Sequence, residues 1–197
     1  MDPAARRLTA VAFDQWVLDT VVDQRTPWLV DVVTVVTNSG GTVASWLIAS
    51  LLTAMLFVRG LRIEAATLAG AMLTGNLVMS GLKLIFTRAR PPMPERLIEI
   101  SSYSFPSGHA MMTAVLATTT AAVVVRLGLP VIARRAMLVL LVLYSVAVGF
   151  SRVYLAAHWM TDVLAGWTIG ILWAGLWLWG ARRLRLRRSG GNVGFPR

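Results

Sequence analysis

An all-α, integral membrane helical bundle is the fold the sequence predicts, with about five transmembrane helices and an N-terminal amphipathic surface segment. Two observations carry that reading. Hydrophobic residues fill 56% of the 197 positions and charged residues only 14%, against about 25% charged in an ordinary soluble domain; mean hydropathy is +0.67. Several apolar runs also approach the ~20 residues that cross a bilayer. There are no cysteines, which excludes disulfides and thiolate chemistry.

Residues 1–41 come first. They carry Asp14, Asp19, Asp23, Arg25 and Asp31, too many charges to span. Val11, Val17, Leu18, Val21 and Val22 fit one or two amphipathic helices on the membrane surface, broken at Thr26-Pro27. Nothing there reads as a secretory signal peptide. Residues 42–181 form the bundle. Its spans are expected near Val43–Val58, Ala65–Phe86, Ser107–Val125, Ala136–Phe150 and Trp159–Ala181. Residues 182–197 are a basic tail with Arg182, Arg183, Arg185, Arg187 and Arg188. Such a tail beside a span marks a cytoplasmic, lipid-facing end rather than a nucleic-acid site. Arg59, Arg62, Arg126, Arg134 and Arg135 share that side by the parity of the spans, so it is read as cytoplasmic.

The remaining polar residues form four clusters. Lys83–Pro91 (KLIFTRARP) closes the second span and Phe105–His109 (FPSGH) opens the third. Ser151-Arg152 closes the fourth and His158–Asp162 (HWMTD) opens the fifth. Parity puts all four on one face, the extracytoplasmic one by the arginine bias. Lys83, the only lysine, would converge there with Arg90 and Arg152 as three cations. Arginine offers a planar fork to phosphate oxygens and lysine a point charge. Ser107, Gly108 and His109 follow Pro106 at a helix start, where backbone N–H groups favour an anion and glycine permits close approach. The pocket therefore reads as a phosphate site.

His158 and Asp162 are four residues apart and share a helix face. The carboxylate can hold one ring nitrogen and leave the other free as a nucleophile. The pair alone could also be a structural contact or half a metal site, and the metal reading is less favoured because the neighbouring cations would repel the ion. Gly166, Gly170 and Ala174 continue the four-residue spacing, a stripe that lets another helix approach. Arg152 lies six residues before His158, so a turn is expected across Val153–Ala157. His109, the second of two histidines, suits a general acid for the leaving alkoxide and then a base for water. Arg59, Arg62 and Arg88 read as membrane-edge anchors. Trp159, Trp167, Trp173, Trp177 and Trp179 read as interface belt and packing. Residues 91–105 (PPMPERLIEISSYSF) are expected to shape the pocket mouth.

With these residues placed, the sequence resembles the type-2 phosphatidic acid phosphatase family of membrane lipid phosphate phosphatases. That family is marked by K-x6-R-P, P-S-G-H and S-R-x5-H-x3-D. Here they stand as Lys83…Arg90-Pro91, Pro106-Ser107-Gly108-His109 and Ser151-Arg152…His158…Asp162. The resemblance covers about Ala65 to Ala181. It implies a phosphohistidine on His158, oriented by Asp162, with His109 protonating the leaving group. Lys83, Arg90, Ser107, Gly108 and Arg152 would hold the phosphoryl group, with no metal and no cofactor. The substrate expected is a membrane lipid phosphate or diphosphate at the outer face of a bacterial inner membrane: a polyprenyl diphosphate first, then phosphatidylglycerol phosphate or phosphatidic acid. Bacterial members commonly have six spans, so this chain is expected to start after the first. Two other classes share the pocket chemistry: a lipid phosphotransferase with a non-water acceptor, and a non-catalytic lipid-binding protein.

Overall fold

The computed structural model describes residues 3–190, with side-chain environments for residues 11–187. Seven helices make up the described chain: α1 (Pro3–Asp23), α2 (Pro27–Ser39), α3 (Thr42–Val58), α4 (Arg62–Phe86), α5 (Gly108–Arg126), α6 (Val131–Tyr154) and α7 (Met160–Gly190). Four of them, α4 to α7, are each long and apolar enough to cross a membrane. The fifth candidate span is composite, because α2 and α3 pass the same test only together, across a 46° bend. The break falls at Gly40-Gly41, and a Cβ on Gly40 would run into Val148 of α6. Glycine at that position lets the bend seat against the bundle.

Each boundary has a local cause. Thr26 caps α2 in an extended conformation with Pro27 in the first turn, where a missing N–H costs nothing. Thr87 closes α4 with φ +43 and the Ala156 turn between α6 and α7 has φ +50. Both are left-handed positions that end a helix. The turn expected across Val153–Ala157 is therefore present, and Arg152 and His158 sit on opposite sides of it.

Helix α5 is the axle of the bundle, packed on α3, α4, α6 and α7. Its tightest neighbour is α7, and the small-residue stripe is the reason. A Cβ on Gly166 would lie 2.7 Å from the Ser107 carbonyl oxygen, and one on Gly170 would lie 2.9 Å from the Ala114 Cβ. Ala174 completes the seam, fully buried. From the same face of α7, Trp173 and Trp177 donate their indole N–H groups to Thr74 Oγ1 of α4, at 3.2 and 3.0 Å. Those two tryptophans are packing struts between helices. Trp179, 61% exposed, fits the belt expectation better.

Helix α1 docks on α6 and α7. Its inward residues are Asp14 and Leu18, while Val11 and Trp16 stay exposed. Arg25, just beyond it, donates to the Tyr154 and Glu95 carbonyls. Burial lowers its pKa from the ordinary arginine value.

Candidate active site

The four polar clusters come together at one end of the bundle, around a cavity of about 270 Å³. Lys83, Arg90, Gly108, His109, Arg152 and His158 all line it. Ser107 and Asp162 lie behind that lining, both fully buried. The Ser107 amide donates to the Asp162 carbonyl at 3.0 Å, which locks the start of α5 onto the start of α7. That backbone N–H is thereby committed, and the cavity wall at the α5 start is made by Gly108 and His109.

His158 is 3% exposed and sits in the short link before α7. Arg90 Nη1 is 3.0 Å from its Nε2. An arginine can only donate, so Nε2 is an acceptor and the ring proton belongs on Nδ1. Nδ1 faces Ser104 Oγ at 3.4 Å and Asp162 Oδ2 at 3.5 Å. Ser104 Oγ in turn donates to Asp162 Oδ2. The serine hydroxyl thus stands between imidazole and carboxylate. Burial, with help from the nearby Arg90 and Arg152 charges, pushes the His158 pKa down to about 3 against the pull of Asp162. The ring is neutral at physiological pH, and its Nε2 lone pair accepts from Arg90, which lines the cavity beside it.

The cations are held by neutral carbonyl and hydroxyl oxygens rather than by carboxylates. Lys83 Nζ donates to the Tyr103 carbonyl at 2.6 Å. Arg90 donates to the carbonyls of Ser102, Tyr103 and Ala157 and to Ser102 Oγ. Burial lowers its pKa to about 10, which leaves it cationic. Arg152 Nη1 donates to Thr37 Oγ1 of α2 at 2.7 Å, while its Nε is buried without a partner among the described residues. Neutral oxygens orient these groups without neutralising them, so the positive charge remains for an incoming anion. The expected mouth is also present, since Ile100 and Ser102 line the cavity and Ser102 and Tyr103 grip the cations. His109 looks across to the helix break: its Nε2 is 3.8 Å from where a Gly41 Cβ would stand. Among the described residues no three His, Cys, Asp or Glu side chains gather closely enough to share a metal ion.

One expectation needs correcting. Arg88 is not a snorkelling anchor. Its Nη1 donates to Asp162 Oδ1 and its Nη2 to Asp14 Oδ2, both at 2.6 Å. Asp14 also accepts from the Thr161 amide at 2.9 Å and the Thr161 hydroxyl at 2.6 Å, capping α7 from a helix 147 residues away in sequence. Two carboxylates thus sit at the N-terminal end of α7, where the helix dipole favours them. Arg88, Asp14 and Ser104 are the residues that the motif clusters did not single out. The one signal for Asp14 was its helical spacing to Val17, Leu18 and Val21, which puts a carboxylate on the apolar face of α1.

Removing Asp14 tests this arrangement. Asp14→Ala is expected to cost about 2 kcal/mol of stability through the lost α7 cap and the half-emptied ion cluster. It should lower kcat about tenfold with KM little changed, because Asp14 does not line the cavity and acts through Asp162. A proportional rise in KM with kcat intact would place Asp14 in substrate binding instead.

Comparison with known proteins agrees on fold and chemistry. The family model described as the PAP2 superfamily matches residues 64–185. Phosphatidylglycerophosphatase B of Bacillus subtilis is 34% identical over 155 residues, covering 75% of this chain and 73% of that protein. An undecaprenyl-diphosphatase of Sulfolobus acidocaldarius is 40% identical over 70 residues, 36% of this chain and 30% of its own. Among solved structures, the transmembrane PAP2-type phosphatidylglycerolphosphate phosphatase of Bacillus subtilis superposes with a TM-score of 0.81 at 28% identity, over 92% of this chain and 88% of that one. LpxE of Aquifex aeolicus superposes with a TM-score of 0.66 at 24% identity, over 82% of this chain and 92% of the other, and shares the fold.

Proposed function

This chain belongs to the PAP2 superfamily and is a multi-span membrane phosphatase, and from that premise we propose that it hydrolyses a lipid phosphate through a phosphohistidine on His158. The observation that carries the mechanism is the His158 Nε2 lone pair, 3.0 Å from Arg90 Nη1, in a cavity that Lys83 and Arg152 also line. In the first step Arg90 Nη1 passes from Nε2 to a phosphoryl oxygen, the freed Nε2 lone pair attacks phosphorus, and the P–O bond to the lipid breaks. His109, protonated, gives its proton to the departing oxygen. In the second step His109 takes a proton from water, the water oxygen bonds to phosphorus, and the P–N bond breaks. Phosphate leaves, and His158 is again neutral. Lys83, Arg90, Arg152 and the Gly108 backbone hold the phosphoryl oxygens, while Ser107 and Asp162 fix the two helix starts that present the histidines. Ser104 and Asp162 keep the proton on Nδ1 and stabilise the charged imidazole. This chemistry uses no metal.

Among lipids we favour phosphatidylglycerol phosphate, ahead of the polyprenyl diphosphate that the sequence reading put first. The phosphatidylglycerophosphatase match spans 75% of the chain, the undecaprenyl-diphosphatase match only 36%. Phosphate release from a detergent-dispersed panel of phosphatidylglycerol phosphate, polyprenyl diphosphate and phosphatidic acid tests the order. The highest kcat/KM is expected for phosphatidylglycerol phosphate; a higher value for the diphosphate would restore the alternative. Free phosphate equal to substrate consumed would exclude phosphotransfer to another acceptor.

The cavity end is proposed to face away from the cytoplasm. The chain has no native cysteine, so single cysteines report cleanly. In intact cells a membrane-impermeant maleimide should label Met93→Cys on the cavity side and leave Leu127→Cys, at the opposite end of α5, unlabelled. The reverse pattern would invert the topology.

A further inference from the structure

A second, larger cavity is at the other end. It measures about 980 Å³ and lies between the start of α4 and the end of α7. The distance from Lys83 to Arg62 along α4 is about 32 Å at 1.5 Å per residue, so this cavity belongs to the opposite membrane surface. Its size is near the upper limit of about 1,000 Å³ for small-molecule sites.

The groove has two chemistries. Ala66 and Gly180 make a shallow floor and Trp177 an aromatic wall. Trp177 is fixed by its bond to Thr74 and by the absence of a side chain at Gly70, where a Cβ would meet its ring. The rim carries Arg62, Arg183 and Arg187. Among the described residues no carboxylate pairs with any of the three. Arg62 and Arg183 rest instead over the Phe57 and Trp179 rings, at 5.7 and 5.3 Å from the ring centres. Glu64, the acidic residue of this end, is already shared by Arg126 and Arg185. Three uncompensated guanidinium groups above an apolar slot at a membrane surface match one kind of ligand: a phosphate on a pair of acyl chains.

We propose that this groove is a binding site for an anionic phospholipid of the leaflet opposite the active site. The headgroup phosphate lies among Arg62, Arg183 and Arg187, and an acyl chain lies along Trp177 over Ala66 and Gly180. The site is separate from the phosphatase cavity and stands whether or not the proposed substrate is right.

The test uses the full chain reconstituted in phosphatidylcholine vesicles. Tryptophan quenching by dibrominated phosphatidylglycerol is compared with quenching by dibrominated phosphatidylcholine. About fivefold in relative affinity is expected per arginine near the surface, so the preference for phosphatidylglycerol should exceed about tenfold. It should fall to near unity in the triple variant Arg62→Gln, Arg183→Gln, Arg187→Gln. It should survive Lys83→Gln with Arg90→Gln at the other end, and Arg59→Gln with Arg135→Gln on the same side but outside the groove. Ala66→Phe, which fills the floor and leaves the charges, should weaken quenching by both lipids. A preference below twofold, its loss with Lys83 and Arg90 rather than with the rim arginines, or a dimer that buries Trp179 and shuts out both quenchers would overturn the proposal.

Discussion

His158→Ala is expected to reduce phosphate release by at least about 10⁴-fold, the scale seen when the nucleophile of a covalent mechanism is removed. The loss should fall on kcat, because Lys83, Arg90 and Arg152 remain to bind the phosphate. The wild-type enzyme quenched during turnover of labelled substrate should carry an acid-labile, alkali-stable phosphoryl group that the variant lacks. His109→Ala separates the two histidines. With the nucleophile intact and the proton donor gone, it should slow turnover by about 10²- to 10⁴-fold, and more for a substrate with a poor leaving group than for an activated aryl phosphate. Equal losses with both substrates would deny His109 the role of acid. Because burial holds the His158 pKa at about 3, Nε2, the nitrogen proposed to attack, should stay unprotonated well below neutral pH.

Gly166→Val should be nearly as damaging, although Gly166 touches no substrate. Even the first added carbon would stand 2.7 Å from the Ser107 carbonyl oxygen and 3.0 Å from the Ala110 Cβ. The nearer obstacle is backbone, so the clash cannot be relieved by a rotamer change, and overpacking of this kind costs about 1–3 kcal/mol or more. To make room, α5 must move away from α7. That strains the Ser107–Asp162 backbone bond and carries Gly108 and His109 away from His158. A displacement of about 1 Å between reacting groups is worth about 10²-fold in rate. Gly166→Ala should therefore lose activity and thermal stability together. Gly175→Ala in the same helix, where a Cβ meets nothing within 4 Å, should be neutral or slightly stabilising. If Gly166→Ala retained full activity, the seam between α5 and α7 would not be what sets the spacing of the two histidines.

The architecture was readable from the sequence because a bilayer constrains it so strongly. Apolar runs of the right length locate α4 and α5 to within about three residues, whereas α6 and α7 run past their expected ends into the arginine-bearing segments, α7 as far as Gly190; span parity alone brings Lys83, Arg90, His109, Arg152 and His158 to one end. The turn at Ala156 followed from helix periodicity, since Arg152 and His158 could not share a face on a continuous helix. The bend between α2 and α3 was hidden because residues 43–58 read as a span by themselves, while Asp31 makes α2 read as part of a surface segment; the two pass as a span only together. Ser104 was hidden for another reason. A serine in a loop is ordinary, and its place between His158 and Asp162 depends on where residues 102–104 fold back over Arg90. Arg88 was misread because its two partners are each about 74 residues away. A lone arginine at a membrane edge looks the same in sequence whether it faces headgroups or two buried carboxylates.

The Asp14–Arg88–Asp162 cluster also has a consequence for how the molecule is made. Its members come from the first helix, the middle of the chain and the last helix, so synthesis delivers them in that order. A nascent chain that stops before α7 holds Asp14 and Arg88 but no Thr161 and no Asp162. His158, two residues ahead of α7, is delivered just before them, so an unfinished protein lacks the carboxylate that holds the proposed nucleophile. Contacts so distant in sequence form late, after the loops between them have closed. The ion cluster is thus a completion mark: enzymatic competence arrives only when the final helix has docked against the first.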